Sequence, residues 1–192
     1  GGENSGGEYH TIYDTYPHYK RFKDPEFAYG VALANTAGRI TLRLANSDIL
    51  PFEFTQWHKT VSGYLNEIMA EIDQMRKNIE SHNIMVSKNV FELAADPTLP
   101  FTKPVKKEEI PFIDFSPLQN QLAQLNKSIT ELSAKDFLKL SPTNQAVIND
   151  KLRQTEQALM SPVGLPRRSW YKHQIYAPGF YTGYGVKTLP GV

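Results

Sequence analysis

Between Thr55 and His82 the apolar residues Trp57, Val61, Tyr64, Ile68, Ile72, Met75 and Ile79 recur at spacings of three and four, and Leu65 and Met69 widen the stripe. That period is the period of a helix, with apolar side chains gathered on one face; a strand would alternate in twos. A helix of this length, apolar along one side, needs something to lie against. The sequence offers a partner in Phe115, Leu118, Leu122, Leu125, Ile129 and Leu132, a heptad-like seam of the kind that packs on a neighbouring helix at a shallow angle. The fold class expected from these two stripes is mainly α, a helical bundle.

Two more segments carry helical signals. Asp24-Pro25 reads as a helix start, an Asp that caps orphan N–H groups before a proline with no N–H to lose, and the pattern continues through Phe27, Val31, Ala34, Gly38, Leu42 and Ala45. Gly38 on that face would permit close approach of another element. Ser141-Pro142 opens a weaker stripe through Ile148, Leu152 and Leu159. The expected helices are therefore 24–48, 55–82 with Thr55 as cap, 114–139 and 142–160. Residues 83–111 carry Pro97, Pro100, Pro104 and Pro111 around a "KKEE" run and read as an exposed, partly mobile excursion, too long for an ordinary helix connection. After residue 160 the chain is rich in Pro, Gly and aromatics with little periodicity, which predicts an irregular strap held by Trp170, Tyr171, Tyr176, Phe180, Tyr181 and Tyr184.

Charge and composition narrow the function classes. Twenty-one basic against twenty acidic residues, a formal charge of +1 in 192 residues, give no footprint for nucleic acid. No run reaches the 18 or so apolar residues of a membrane span. Without cysteine there is no disulfide framework or thiolate metal site. The five histidines, His10, His18, His58, His82 and His173, include no H-E-x-x-H spacing, so each reads as structural or surface when taken alone. There is also no phosphate-cradling glycine loop and no G-x-S-x-G elbow. Residues alone thus lead to a helical chain without a self-contained active site.

Several stretches taken together add more. "EYHTIYDTYPHYKRFKDPEFAYGVALANTAGRITLRLANSDILPFEF" resembles the end of the peptidase domain of the glutamate carboxypeptidase and transferrin receptor family, and "INDKLRQTEQALMSPVGLPRRSWYKHQIYAP" and "GYGVKTLPG" resemble its later helical region and strap. The resemblance runs in the same order over nearly the whole chain; residues 83–111 fall outside it. It implies a peptidase-like member, because Tyr9-His10 is retained. In that family an α/β peptidase domain holds two zinc ions and a C-terminal helical bundle forms a homodimer.

The resemblance implies three parts: 1–51 as a remnant of the zinc-peptidase domain, 52–165 as the helical dimerisation domain with its insertion at 83–111, and 166–192 as the strap. It places His10 at a zinc-ligand position and Tyr9 at a tyrosine that can donate to the tetrahedral intermediate. Asp14 could accept the second imidazole N–H, although a solvent-facing carboxylate is the simpler expectation. Tyr184 falls on a tyrosine that contacts the substrate's C-terminal residue, whereas the preceding lysine that pairs with a glutamate side chain is Gly183 here, so glutamate specificity is not carried over. His173 is expected to fix the strap. The family's other zinc ligands, its general base and its substrate arginines would lie upstream of Gly1, and a last bundle helix beyond Pro190-Gly191.

The resulting expectation is a piece of a zinc-dependent exopeptidase, a hydrolase of peptide substrates, that supplies dimer contacts and one zinc ligand and is inactive by itself. Its parent would hold two zinc ions and this chain none stably. A non-catalytic receptor or trafficking protein on the same scaffold is the alternative. The resemblance also implies a type II membrane protein with a lumenal, vacuolar or extracellular ectodomain. "GGENSGG" then reads as the flexible approach to a site loop.

Overall fold

The structure, a computed structural model, describes residues 8–192; Gly1–Gly7, and with them the expected flexible approach, lie outside the described residues. The fold is mainly helical. It divides into two units, one made of the chain up to Pro51 with Ser141–Asn149, the other of Phe52–Leu140 with Asp150–Val192.

In the first unit a short helical turn, α1 (Tyr16–His18), runs into a π-helical turn, Tyr19–Lys23, before the longer α2 (Ala28–Ala45). The sequence placed the start of α2 at Asp24 with Pro25 in its first turn. Instead Pro25 and Glu26 form a turn, Phe27 takes a left-handed backbone with φ of 57°, and helix begins at Ala28. Asp24 still caps it, from a distance: its carboxylate accepts from the N–H of Tyr29 at 3.2 Å and Gly30 at 2.8 Å, and from the Tyr19 hydroxyl at 3.2 Å. No residue of α2 is buried, and among the described residues nothing comes within 4 Å of where a Gly38 side chain would begin, so none of them makes the close approach that Gly38 would permit. Asn149, on α6 (Pro142–Gln154), closes this unit by accepting from Leu50 N–H and donating to the Asp48 carbonyl, each at 2.8 Å.

The second unit is built on α3 (Phe54–Ser87), longer at its C-terminal end than the stripe predicted. Its cap is Glu53, whose carboxylate accepts from Thr55 N–H at 2.9 Å; Thr55 lies inside the helix. The helix α4 (Val90–Leu93) follows, so the excursion is helical for part of its length. The rest of it passes through turns at 94–99 and then, without regular structure and largely exposed as expected, lies along α3. Asn83 donates to the Lys107 carbonyl at 2.9 Å and accepts from Lys107 N–H at 2.8 Å, while Arg76 donates to the Pro111 carbonyl at 3.0 Å.

The expected third helix is α5 (Ser116–Ser133) followed by a separate 3-10 turn, Phe137–Lys139; the fourth is α6 with a 3-10 turn at Gln157–Leu159. The two predicted stripes do meet. Val61 and Leu65 of α3 and Leu122 of α5 form the buried cluster, with Trp57, Tyr64, Ile68, Phe115 and Leu118 packed around it, and His58 Nε2 bonds the Leu122 carbonyl at 2.9 Å. The fourth buried member is Leu189, from the strap. Fully burying a side chain of this size contributes about 1.5–3 kcal/mol, so these few residues carry much of the tertiary stability.

The strap ends in a hairpin, β1 (Tyr176–Pro178) antiparallel to β2 (Val186–Thr188), with Ala177 opposite Lys187. Its anchors are not the large aromatics. Leu165, Ala177 and Leu189 are buried, whereas Trp170, Tyr176, Phe180, Tyr181 and Tyr184 are exposed. Arg168 is buried too: it donates to the Pro178 carbonyl at 2.5 Å, and its guanidinium lies over the Tyr171 and Phe180 rings. Aliphatic side chains are thus the buried apolar part of the strap, while Tyr171 and Phe180 pack on Arg168 nearer its surface.

Candidate functional site

The loop carrying Tyr9 and His10 is two tight turns in succession. Thr11 N–H and hydroxyl both donate to the Glu8 carbonyl, at 3.0 and 2.8 Å, and Asp14 N–H donates to the Thr11 carbonyl at 3.0 Å. His10 is the third residue of the first turn, with φ of 57°. For a side-chain-bearing residue that left-handed backbone costs roughly 1–2 kcal/mol, although histidine tolerates it better than most. The second carboxylate oxygen of Asp14 stabilises it by accepting the His10 main-chain N–H at 3.1 Å. Asp14 thus orients the residue through its backbone; the bond to the imidazole considered from sequence is not formed.

The consequence is an outward-facing pair. The rings of Tyr9 and His10 are stacked, centroids 3.9 Å apart and 18° from parallel, and both residues are exposed, Tyr9 at 63%. Behind the loop, Glu8 forms an ion pair with Lys23, which holds the Glu8 carboxyl below its ordinary range, first through the direct hydrogen bond from Lys23 and then through the bond from its own backbone. At the end of the π-helical turn, burial would raise the Asp24 carboxyl, but the bonds from Gly30, Tyr29 and Tyr19 outweigh it and hold the group below its usual value. The Glu8–Lys23 pair ties the base of the loop to the π-helical turn, and Asp24 ties that turn to the start of α2.

Tyr184 belongs to the other unit, at the tip of the β1–β2 hairpin, and is 93% exposed. The tip is closed by Gly179 N–H to the Gly185 carbonyl at 2.9 Å and Gly183 N–H to the Gly179 carbonyl at 3.3 Å. Gly183 has φ of +60° with open space where a side chain would start.

Below the hairpin lies a polar node that sequence reading identified only as a strap-fixing histidine. His173 Nδ1 faces the N–H of Ile175 at 3.2 Å and of Tyr176 at 3.4 Å, so it accepts, and Nε2 must carry the proton it shares with Glu156 at 2.8 Å. The Tyr176 hydroxyl donates to the same Glu156 oxygen at 2.7 Å and its ring stacks on His173. The bond to Glu156, and then the negative charge of that carboxylate, raise the Tyr176 phenol above its ordinary value. Three of the five histidines, His58, His82 and His173, are structural brackets in this sense, His82 by bonding the Val105 carbonyl at 3.1 Å.

A catalytic zinc needs about three protein ligands and a structural one four. Among the described residues no group of three or more His, Asp or Glu side chains could hold a metal. No helix among them is long and apolar enough to cross a membrane.

Residues 113–192 match the transferrin receptor-like dimerisation domain. Over 187 residues, 96% of its length, the chain is 31% identical to a probable glutamate carboxypeptidase of Arabidopsis thaliana and covers 22% of that protein. It is 28% identical over 184 residues to an aminopeptidase, NAALADL1, of Rattus norvegicus, with 96% of this chain and 20% of the relative covered. A probable glutamate carboxypeptidase of Arthroderma benhamiae is 29% identical over 184 residues, 96% of this chain and 21% of that protein. The chain thus spans about a fifth of the length of the curated relatives it matches.

Proposed function

From a chain that belongs to the transferrin receptor-like family of glutamate carboxypeptidases, we propose two contributions to a zinc-dependent exopeptidase: the helical dimerisation surface, and one catalytic loop that presents Tyr9 and His10. The single observation that carries the second part is the exposed, stacked Tyr9–His10 pair on a loop whose backbone Asp14 fixes. It is a side-chain arrangement with no evident use within this chain.

The division of labour follows from the residue types. Zinc in such an enzyme acidifies a water and polarises the scissile carbonyl; the described residues do not make a zinc site by themselves. His10 offers a neutral imidazole as one ligand, and the Tyr9 phenol is a hydrogen-bond donor for negative charge that develops beside it. Tyr184, at the hairpin tip, contacts the C-terminal part of a peptide substrate. With Gly183 in place of a cation, that contact carries no charge preference for an acidic residue. The names of the relatives, carboxypeptidases and an aminopeptidase, favour this reading over a non-catalytic receptor. By the same resemblance the ectodomain of a type II membrane protein is the setting proposed for it.

The test uses protein that carries the peptidase domain together with this chain. His10→Ala is expected to lower zinc content and abolish peptidase activity, and Tyr9→Phe to lower kcat by about 100- to 1,000-fold with KM little changed, the range for loss of an oxyanion donor. Unchanged activity and zinc content in His10→Ala would remove the assignment. The 192-residue chain alone is expected to be inactive and to self-associate; a strict monomer at high concentration in sedimentation counts against the dimer role.

A further inference from the structure

Asn126, Lys127 and Ser128 follow one another in the middle of α5. An asparagine followed by any residue but proline, and then by serine or threonine, is the acceptor sequence for an N-linked glycan. Of the eleven asparagines in the chain only Asn126 begins one. Its side chain is also free for the purpose. Asn126 and Ser128 are both exposed, and among the described residues nothing hydrogen-bonds the Asn126 side-chain amide; the Thr130 hydroxyl donates to its main-chain carbonyl at 2.9 Å. Other asparagines are occupied by the fold: Asn83 by Lys107, Asn149 by Leu50 and Asp48, Asn46 by the Leu42 carbonyl at 2.8 Å, and Asn89 by the Lys103 ammonium at 2.6 Å.

The flank of α5 that carries Asn126 is polar. Gln119 lies two turns earlier on the same side, and His58, Ser62 and Asn66 of α3 line the shallow hollow that Asn126 and Gln119 share. The apolar flank is the other one, where Leu125 lines a hollow with Phe54, Trp57 and Leu159. A carbohydrate on Asn126 therefore extends over polar residues into water and leaves the apolar side uncovered.

We infer that Asn126 is an N-glycosylation site. In the transfer its Nδ2 attacks the anomeric carbon of an oligosaccharide carried on a lipid diphosphate. A C–N bond forms, the C–O bond to the diphosphate breaks, the lipid diphosphate leaves, and Nδ2 gives up one proton. The inference rests on the ectodomain setting proposed for the chain, because donor and transferase meet only segments delivered to that side of the membrane. Helix geometry fixes the order of events. At 3.6 residues per turn Asn126 and Ser128 point about 200° apart on α5, so the serine hydroxyl cannot meet the asparagine amide in the folded helix. In an extended segment residues two apart share one face. Transfer thus precedes the formation of α5, and the exposed position lets the glycan be carried into the fold.

The test uses protein that carries the peptidase domain and membrane anchor together with this chain, expressed in eukaryotic cells. Mass spectrometry is expected to find a glycan on Asn126, and glycan-releasing amidase to shift the gel mobility of wild type further than that of Asn126→Gln. Ser128→Ala, which leaves the asparagine in place, should lose the same glycan, and Ser128→Thr should keep it. The control is Pro100→Asn, which completes a second acceptor sequence with Phe101 and Thr102 in an exposed segment without regular structure. If Pro100→Asn gains a glycan while Asn126 carries none, the site is overturned and the ectodomain setting stands. If neither position is modified, the setting fails and the site with it. Modification at Asn126 that survives Ser128→Ala would also overturn the assignment, since the serine is then not part of the acceptor.

Discussion

Leu189 shares a buried cluster with Val61, Leu65 and Leu122, so strap and helices should lose stability together. Leu65→Ala tests this most directly. Leu65 is 2% exposed, and shortening it to alanine removes three carbons, about 2.4 kcal/mol of transfer free energy at about 0.8 each. A rigid cavity would take the loss towards 5 kcal/mol. The cluster, however, has only four buried members bordered by half-exposed side chains that can relax inward, so we expect about 2.5–3 kcal/mol. Leu189→Ala should cost about 2–3 kcal/mol for the same reason. Because the two side chains share one cluster, the double variant should depart from additivity by at least about 0.5 kcal/mol. The assay is urea unfolding of the whole chain, followed by far-UV circular dichroism and by Trp57 fluorescence in a Trp170→Phe background, since Trp57 packs on the cluster and Trp170 is exposed. Additivity within about 0.3 kcal/mol, or a Leu65→Ala cost below about 1 kcal/mol, would refute a core shared by strap and helices.

Three further outcomes follow from local geometry. Gly164→Ala should loosen the strap, because φ is +73° there and a Cβ would lie 2.3 Å from the Ser169 carbonyl oxygen; faster proteolysis between residues 160 and 175 is the readout, and unchanged cleavage would count against the turn. In a spectroscopic titration Tyr176 should ionise above the usual phenol value of about 10, since its bond to Glu156 and the charge of that carboxylate oppose the phenolate, and Glu156→Gln should bring it back. The stabilisation from that pair is complete below the unfolded phenol value and is lost as pH rises through the higher folded one. Asp24 has the opposite sign: with its folded pKa depressed, its contribution is complete above the unfolded carboxylate value of about 3.9 and disappears as pH falls through the lower folded value. Asp24→Asn should flatten the acid limb of an unfolding curve, and an unchanged limb would show that the cap carries no charge-dependent stability.

Periodicity was enough to find α3 and α5 and to predict that their stripes face one another, because each residue of a stripe reports the same local angle. It did not find the end of α3. What holds that turn in place is a set of bonds from Arg76, His82 and Asn83 to a segment more than twenty residues later, and no local pattern encodes them. Asp24 is recognisable as a cap, but the path from it to the helix is not: a left-handed Phe27 lets the carboxylate reach amides five and six residues on. In the strap, residue type misled. Large rings suggested anchors, while burial went to Leu165, Ala177 and Leu189, a distinction set by which way each residue of an irregular segment points. Tyr9 and His10 stand out in the sequence only through resemblance, since an exposed tyrosine beside a histidine has no spacing rule of its own, and no local pattern encodes the bond from His10 N–H to Asp14.

Gly183 has a consequence for how this tip can change. Space at its Cα is open, so a bulky residue meets no wall there; the obstacle is the backbone, whose φ of +60° few L-residues adopt without cost. A lysine placed at this position would either carry that cost or turn the loop over and swing Tyr184 with it. A cationic side chain at 183 and the present tip geometry are thus alternatives, and one substitution does not exchange them without a structural toll.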